Sequence, residues 1–393
     1  MLFTREIEPK LIMQLNKQEI LVLTGMRRTG KTSLLKVLYD KIESSNKVFL
    51  DLQNTLDQKV FDELDFNNIL VNLKSYKISS DEKIYLFIDE IQFLPQVTHV
   101  IKYLYDHYDI KFVITGSSSF YLKNLFPESL AGRKVVFELF PLTFNEFLIF
   151  KGFKFEFDKE FSIKAKNKNF VEYERVNKYY AEYLKYGGFP QVALENDISQ
   201  KELFLKDIFN SYFQIDILTL SDFKKIDALK KLIFLLMERV GSKLDISKLA
   251  SLIGISRDSI YSYIHLLEGS YFFHLITPFT KNRDREVSGT KKVYICDTGI
   301  LNLLSNVSEG NLLENSVFMN LKNYGEVNYF QKHNGMEIDF ILNKSIALEV
   351  KTAGDISDIK KLRRLSEKLG LNEQYLISRT YLEKENSICA YQI

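Results

Sequence analysis

The sequence predicts an α/β protein whose N-terminal part is built around a parallel sheet covered on both faces. Three observations support this prediction. Near-continuous apolar runs of strand length alternate with helical patterns through residues 1–150, which is typical of buried parallel strands. A glycine-rich phosphate-binding pattern follows the first of these runs. From residue 291 onward the chain again mixes helices and strands, in the order αβββαβ.

The stretch Gly25–Thr32 reads Gly-Met-Arg-Arg-Thr-Gly-Lys-Thr and completes the P-loop pattern G-x-x-x-x-G-K-[ST] between an apolar run and a helical pattern. Its glycines permit a backbone whose N–H groups surround an anion at a helix N-terminus. Lys31 is expected to reach the β- and γ-phosphates of ATP, and the Thr32 hydroxyl to bind Mg²⁺. The alternative is a chance glycine turn. The expected nucleotide-binding residues are Gly25, Arg28, Thr29, Gly30, Lys31, Thr32 and Ser33.

Further strand-like runs follow at 47–52, 84–89, 111–115 and 134–138, and ligands of such sheets bind beyond the carboxyl ends of the strands. At one end, Asp89 and Glu90 follow four apolar residues, the Walker B form. Asp89 is expected to hold Mg²⁺ and Glu90 to polarise the water that attacks the γ-phosphate, with an acidic turn as the alternative. After the next run, Ser117 is expected to sense the γ-phosphate or to place that water, with a helix N-cap as the alternative.

These motifs, Gly25–Thr32, Leu86–Gln92 and Thr115–Ser119, together resemble AAA+ ATPases. Leu130–Arg133 and Phe140–Phe147 narrow the resemblance to a prokaryotic family of AAA+ ATPases with a nuclease-like domain at the C-terminus. The resemblance covers nearly the whole chain and implies four domains. They are a P-loop AAA+ core at 1–150, a helical lid at 151–228, a winged-helix domain at 229–290 and a restriction-endonuclease-like α/β domain at 291–393.

The resemblance also implies roles for two residues outside the P-loop. Arg133 becomes a candidate arginine finger, whose guanidinium would offset charge on the transferring phosphoryl group; a structural ion pair is the alternative. A predicted helix at 180–186 ends at Gly187-Gly188-Phe189-Pro190, an ordinary helix stop. In related ATPases a G-x-P turn packs on the nucleotide base, which makes Pro190 a candidate nucleotide contact. Residues 151–168 are polar and are expected to form a loop or insertion.

Residues 230–270 show three helical patterns, and Gly254-Ile255-Ser256 separates the last two at helix-turn-helix spacing. Two strand-like runs follow, at 272–276 and 292–296. This arrangement resembles a winged helix, which binds either DNA or another protein. Arg257 is the single basic residue on the exposed side of the second helix, so both possibilities stay open. The loop between the strands is basic and contains Lys281, Arg283, Arg285 and Lys291.

The C-terminal strands place Asp339 on one strand and Glu349-x-Lys351 on the next, the PD-(D/E)xK pattern with Ile338 before the aspartate. Because residues two apart on a strand share a face, Glu349 and Lys351 are expected to point the same way. Asp339 and Glu349 are expected to bind Mg²⁺ or Mn²⁺, with Lys351 near the same water or phosphate. Glu314, on the preceding helix, is expected to add a ligand. The alternative is a charged, solvated strand face.

The composition bounds the function further. A net charge of +2 gives no global attraction to nucleic acid, so any basic patch is local. The two cysteines suit a reducing cytosol, charges near the N-terminus argue against a signal peptide, and no apolar run approaches the roughly 20 residues of a membrane span. We therefore expect a cytoplasmic protein without membrane contact.

The sequence as a whole predicts an ATP-binding and ATP-hydrolysing AAA+ ATPase that uses Mg²⁺. Its nucleotide state is expected to be coupled to a metal-dependent nuclease or nucleic-acid-binding C-terminal domain. The nucleic acid is expected to be DNA or RNA, with DNA favoured, and a homo-oligomer is a further expectation. The alternative is a nucleotide-controlled regulatory switch or oligomerising binding protein without nuclease turnover. A third interpretation, that the protein is a nucleotide-regulated transcription factor, is supported by the winged helix alone.

Overall fold

The computed structural model describes residues 3–117, 132–155, 157–217, 226–280, 286, 289–332 and 335–393. The chain divides into two compact units. The first comprises residues 1–140 and 269–271, and the second comprises residues 141–268 and 272–393. The division into four domains stays a prediction. Several residues named above lie outside the described residues: Ser118, Ser119, Leu130, Ala131, Lys281, Arg283 and Arg285.

The first unit contains a five-stranded sheet in the order β2-β3-β4-β1-β5, and all of its strand pairs are parallel. Alternate residues of β1 enter two different cores, because successive side chains of a strand point to opposite faces: Ile20 and Val22 enter one, and Leu21 and Leu23 the other. The predicted α/β fold with a parallel sheet is confirmed. The strands are β1 (Ile20–Thr24), β2 (Lys47–Asp51), β3 (Ile84–Asp89), β4 (Ile110–Gly116) and β5 (Lys134–Glu138).

Helices cover both faces of this sheet. Leu34, Leu35 and Leu38 pack in the core on one face, and Val97, Ile101 and Leu104 pack on the other. This double burial explains why the strands read as unbroken apolar runs. The helices are Glu8–Leu15, Lys31–Lys41, Thr55–Lys59, Asn68–Lys74 and Val97–His107, with a short 3-10 turn at Ile91–Phe93.

The second unit begins with a run of helices. Residues 151–168 were expected to form a loop or insertion, and they are not a loop throughout, because they contain the helix Phe161–Lys166. Lys164 of this helix is buried and donates to the hydroxyl of Tyr324 at 2.7 Å. The described helices from here on are Phe144–Phe150, Phe161–Lys166, Phe170–Tyr186, Pro190–Leu194, Ile198–Ser211, Ile226–Met237, Ile246–Ile253, Arg257–Gly269, Thr298–Leu304, Glu309–Leu321 and Ile356–Leu369, with a π-helical turn at Tyr212–Ile217.

A two-stranded antiparallel sheet, β6 (Phe273–Ile276) with β7 (Lys292–Ile295), follows the three helices of 226–269. The order of three helices and two strands is the predicted one, and the winged-helix assignment stays a prediction. Beyond β6 the chain continues alongside Tyr329. The N–H of Tyr329 donates to the carbonyl of Thr277 at 3.2 Å, and the N–H of Phe279 donates to the carbonyl of Tyr329 at 2.6 Å.

The C-terminal sheet has the order β12-β11-β10-β9-β8, with antiparallel pairing from β8 to β10 and parallel pairing from β10 to β12. Leu348 lies opposite Phe340 in the last pair between β9 and β10, and Asp339 and Glu349 are the next residues on the two strands beyond this pair. The predicted αβββαβ order is present, and a short last strand follows it. The strands are β8 (Val327–Gln331), β9 (Glu337–Leu342), β10 (Ile346–Lys351), β11 (Glu373–Ser378) and β12 (Ser387–Cys389).

Candidate nucleotide site and carboxylate cleft

The P-loop leaves β1 at Thr24 and enters the helix Lys31–Lys41 at Gly30. Its two glycines are needed for different reasons. A Cβ at Gly25 would lie 2.2 Å from the carbonyl oxygen of Leu139, so the backbone there admits no side chain. Gly30 has a φ of +96° and ends the loop in a left-handed conformation, which costs glycine little.

The ammonium group of Lys31 points into the P-loop. The side chain is only 4% exposed, and its Nζ donates to the carbonyl oxygens of Gly25 at 2.9 Å and Met26 at 3.0 Å. Thr29 is fully buried and donates to the same Met26 carbonyl at 2.8 Å. A buried cation beside a helix N-terminus gives this concavity the positive charge that a phosphate group requires. These residues therefore fit the predicted ATP site. Of the other expected contacts, Thr32 is half-buried, and Arg28 and Ser33 are exposed.

Arg5 binds the backbone of the P-loop through its guanidinium. This residue was not identified from the sequence. Its guanidinium donates to the carbonyl oxygens of Thr29 and Phe140, each at 2.9 Å. Arg5 is 6% exposed, so these bonds lie in a largely desolvated position, where they are stronger than in water. Only the fold brings residue 5 to residue 29, so sequence spacing carried no signal for this contact.

Asp89 lies at the end of β3 and is buried. The hydroxyl of Thr115 donates to its carboxylate. Burial raises the pKa of Asp89, while hydrogen bonds from Thr115 and Thr32 oppose that rise. The hydroxyl of Thr32, the other side chain predicted to bind Mg²⁺, thus acts on the carboxylate of Asp89. The arrangement fits a cation, since both offer hard oxygen atoms at one place.

Glu90 directly follows Asp89 and has a left-handed backbone with φ of +55°, which costs a non-glycine residue about 1–2 kcal/mol. Its N–H donates to the hydroxyl oxygen of Thr115 at 3.0 Å. Its carboxylate accepts from the amide of Gln92, and the amide oxygen of Gln92 accepts the N–H of Ser117 at 3.3 Å. Gln92 thus connects the predicted catalytic glutamate to the buried Ser117.

Arg133 lies at the opposite end of this sheet from the P-loop. The carbonyl of Arg133 accepts the N–H of Ile20, the first residue of β1, whereas the P-loop follows the last residue of β1. The guanidinium Nε of Arg133 pairs with Asp106 at 2.9 Å, the ion-pair contact that the sequence left open as the alternative. Within its own chain Arg133 does not face the P-loop, and a role toward a second copy stays a prediction.

In the second unit, the turn before Pro190 is built around Asp297. One carboxylate oxygen of Asp297 accepts the N–H of Gly188 at 2.7 Å, and the other accepts the N–H of Gly299 at 2.8 Å. A Cβ at Gly187 would lie 2.0 Å from this carboxylate. Burial raises the pKa of Asp297 to about 6. Pro190 is the first residue of the helix Pro190–Leu194, and its nucleotide contact stays a prediction.

Asp339 and Glu349 lie in one cleft of about 610 Å³ that Lys351 also lines. The carboxylate of Asp339 accepts the N–H of Val350 at 2.8 Å, and Lys351 Nζ pairs with Glu349 Oε1 at 2.7 Å. The other oxygen, Glu349 Oε2, is buried and has no hydrogen-bond partner among the described residues. Burial and the neighbouring Asp339 raise the pKa of Glu349 to about 7. A buried, unsatisfied carboxylate oxygen fits a divalent cation.

Glu314 belongs to the same charged cluster, but its carboxylate pairs with Lys292. Its Oε1 accepts the hydroxyl of Tyr294 at 2.7 Å and lies 3.7 Å from the Nζ of Lys292. The same Nζ also pairs with Glu337. Burial and the charge of Asp339 raise the pKa of Glu314 to about 8. Lys292 was read only as the start of a strand, because its partners are distant in sequence.

The described part of the chain was searched for metal-binding groups of side chains and for membrane-spanning helices. There, no group of three or more histidine, cysteine, aspartate or glutamate side chains is arranged to hold a metal ion. Asp339 and Glu349 are therefore a candidate metal site with two carboxylates, and a role for Glu314 as a third ligand stays a prediction. No described helix combines the length and apolar character needed to cross a membrane.

Comparison with protein families divides the chain into three matched segments. The first, residues 17–148, matches an AAA domain and contains the P-loop, Asp89 and Glu90. Residues 177–311 match a domain of unknown function, DUF8612, and residues 309–389 match another, DUF4143. The last segment contains Glu314, Asp339, Glu349 and Lys351.

Comparison with individual proteins finds relatives that are themselves uncharacterized. One, from Haemophilus influenzae, is 31% identical over 83% of this chain and 80% of its own length. Another, from Methanocaldococcus jannaschii, is 29% identical over 96% of this chain and 84% of its own length. Among solved structures, the Aeropyrum pernix ORC1 protein in complex with DNA matches 77% of this chain and 92% of that chain, with a TM-score of 0.32 and 14% identity. At this level the likeness supports no statement about the present chain.

Proposed function

We propose that the chain binds ATP with Mg²⁺ and hydrolyses it. The premise is that the chain belongs to the same protein family as the Haemophilus influenzae relative and carries an AAA domain at residues 17–148. The observation that carries this proposal is the buried ammonium of Lys31, which donates to two carbonyl oxygens inside the P-loop. A phosphate oxygen would replace these carbonyls as acceptor. Thr32 and Asp89 would hold the cation, which supplies charge neutralisation at the phosphates. Glu90 would accept a proton from the attacking water.

The first experiment measures ATP binding to Lys31→Ala and to a matched control, Lys36→Ala. Both variants remove one lysine from the helix Lys31–Lys41, but Lys36 is exposed and lies outside the P-loop. We expect Lys31→Ala to weaken binding about tenfold or more, since hydrogen bonds to charged groups contribute about 1.5–3 kcal/mol. Lys36→Ala should bind as the unaltered protein does. Equal affinity in both variants would refute the nucleotide site.

A second experiment separates binding from hydrolysis. Glu90→Gln keeps the size of the side chain and removes its basic carboxylate, so ATP should bind normally while phosphate release falls by about 10²–10⁴. The ATP-bound state of this variant is also the sample in which to look for homo-oligomers by light scattering. Hydrolysis at the ordinary rate would mean that another group accepts the proton.

For the second unit we propose metal-dependent phosphodiester chemistry at the C-terminal cleft, coupled to the nucleotide state. The observation that favours it is the buried Oε2 of Glu349, which has no partner among the described residues and lies in one cleft with Asp339. A divalent cation there would act as a Lewis acid and lower the pKa of a bound water. Asp339 and Glu349 would hold the cation, and Lys351 would orient that water or offset the charge of the phosphate.

Plasmid nicking with Mg²⁺ or Mn²⁺ tests this second proposal. We expect Asp339→Ala to abolish nicking and to leave ATP hydrolysis unchanged. The coupling is tested by comparing nicking with ATP and with ADP in the Glu90→Gln background. A protein that hydrolyses ATP but does not nick DNA would instead support the alternative of a nucleotide-controlled switch without nuclease turnover.

A further inference from the structure

The helix Ile356–Leu369 forms one side of the cleft that contains Asp339 and Glu349. Leu362 and Leu365 of this helix are buried in a cluster with Ile338, Ile341 and Ala347 of the sheet. This packing sets the rotation of the helix about its own axis. Three basic residues then line the cleft: Lys361, Arg364 and Lys368. We call these three residues the basic row.

The geometry of the basic row is that of a single line of charge. Its members are three and four residues apart, a spacing that aligns side chains along one side of a helix. The row extends over eight residues, which is seven steps of 1.5 Å or about 10 Å. One strand of a DNA duplex advances about 3.4 Å per phosphate. Four successive phosphates, separated by three such steps, therefore cover roughly the same length as the row, about 10 Å.

The charges of the basic row are available to a ligand. Lys361, Arg364 and Lys368 are all exposed, and none forms an ion pair with a carboxylate of the described residues. Arg363 differs, because it points to another side of the helix and pairs with Glu367 at 3.1 Å. Without the row, the carboxylates of Asp339 and Glu349 would repel a polyanion.

We propose that the basic row binds the phosphodiester backbone of double-stranded DNA and so positions a phosphate at the Asp339–Glu349 pair. This inference rests on the function proposed for the second unit. Lys361, Arg364 and Lys368 are positioning residues, since they contact phosphates beside the reacting one. The row carries no base-reading geometry, so binding is expected to be independent of sequence and strongly dependent on salt.

The test compares two double variants of the full chain. Arg364→Ala with Lys368→Ala removes two charges from the row. The matched control, Lys360→Ala with Arg363→Ala, removes two charges from exposed positions of the same helix that do not line the cleft. Fluorescence anisotropy measures the affinity for a labelled DNA duplex over a range of KCl concentrations. We expect the row variant to lose about tenfold or more in affinity and about 2 in the slope of log K against log [KCl], with the control unchanged.

Several outcomes would overturn the inference. They are the absence of DNA binding by the unaltered protein, equal slopes for the row variant and the control, and row-dependent binding of an RNA duplex but not of DNA. A plasmid-nicking assay separates the inference from the function on which it rests, with Asp339→Asn as the inactive control. If the unaltered protein nicks DNA and the row variant nicks and binds equally well, the nuclease proposal stands and the basic row is refuted. Row-dependent binding without any nicking supports the row and refutes the nuclease.

Discussion

The N–H of Glu90 donates a hydrogen bond of 3.0 Å to the hydroxyl oxygen of Thr115, and the same hydroxyl donates to Asp89. One buried side chain of β4 therefore holds both acidic residues at the end of β3. Glu90 has a left-handed backbone, so the bond to Thr115 helps to maintain a conformation that is unfavourable by itself.

Thr115→Val is expected to lower ATP hydrolysis by about tenfold or more and stability by about 1–3 kcal/mol, because it leaves the N–H of Glu90 buried without an acceptor. Phosphate release and urea denaturation measure the two effects. The control is Thr98→Val, which removes the hydroxyl of another buried threonine of this unit, one that donates to Pro95. Thr98→Val should lower stability without lowering hydrolysis per folded molecule. A similar loss of hydrolysis in both variants would contradict a specific role for Thr115.

Glu349 and a divalent cation together predict a dependence on pH. The raised pKa of Glu349, about 7, lies above the value of about 4.3 in an unfolded chain. The native state therefore binds more protons between these values, and the free energy of unfolding falls as pH rises through this window. A cation binds the ionised carboxylate, so its stabilising effect should grow as pH rises through about 7.

Thermal unfolding with and without Mn²⁺ measures this effect at about pH 5.5 and about pH 8. We expect the rise in Tm on adding Mn²⁺ to be larger at the higher pH. Glu349→Gln cannot ionise and serves as the control, in which the Mn²⁺ effect should be small at both pH values. A rise in Tm of the same size at both pH values in the unaltered protein would rule out Glu349 as the titrating ligand.

Lys292→Met is expected to destabilise the second unit by about 1.5–3 kcal/mol, since Lys292 is buried and pairs with the half-buried carboxylates of Glu337 and Glu314, and hydrogen bonds to charged groups contribute about this much. Urea denaturation gives the free energy of unfolding. Adding Glu337→Gln to Lys292→Met should restore part of the loss, because it removes one of the carboxylates that have lost their partner. If the double variant is as unstable as the sum of the two single variants, the ion pair does not account for the effect.

Gly187 and Gly254 form a natural pair for a test of close packing. Both end helices with positive φ, +75° and +78°, but a Cβ at Gly187 would meet Asp297 at 2.0 Å whereas one at Gly254 would meet nothing within 4 Å. Gly254→Ala should cost only the left-handed strain, about 1–2 kcal/mol. Gly187→Ala should cost more, because it also displaces the carboxylate that accepts the N–H of Gly188. Equal changes in unfolding free energy would contradict this packing argument.

The features that the sequence could predict are those set by local pattern. The strands of the first sheet were readable because burial on both faces leaves them almost without polar residues. The position of Glu349 and Lys351 on one side of β10 followed from the two-residue period of a strand, whereas the position of Asp339 beside them depends on how β9 pairs with β10. By contrast, the helix Phe161–Lys166 was missed because it is short and buries a lysine, Lys164, that reads as a surface residue.

Contacts between distant segments could not be predicted. Thr115 was inside a quoted motif, but its bond to Asp89 depends on β4 lying next to β3, and strand order cannot be read from one sequence. Arg5 and Lys292 were missed for the same reason. Arg5 contacts Thr29 and Phe140, which are 24 and 135 residues away in the sequence. Lys292 contacts Glu314 and Glu337, which are also distant in the sequence. Only the folded chain brings these partners together.

The first unit is completed by residues 269–271, which the ribosome makes only after the whole of 141–268. Tyr271 packs edge-on against Phe140, with ring centroids 6.1 Å apart. At synthesis rates of about 5–20 residues per second, the rest of this unit waits on the order of ten seconds for that segment. During this interval the first unit lacks the contact between Phe140 and Tyr271. A fragment ending at residue 150 never gains that contact, whereas a chain that extends to residue 271 includes it.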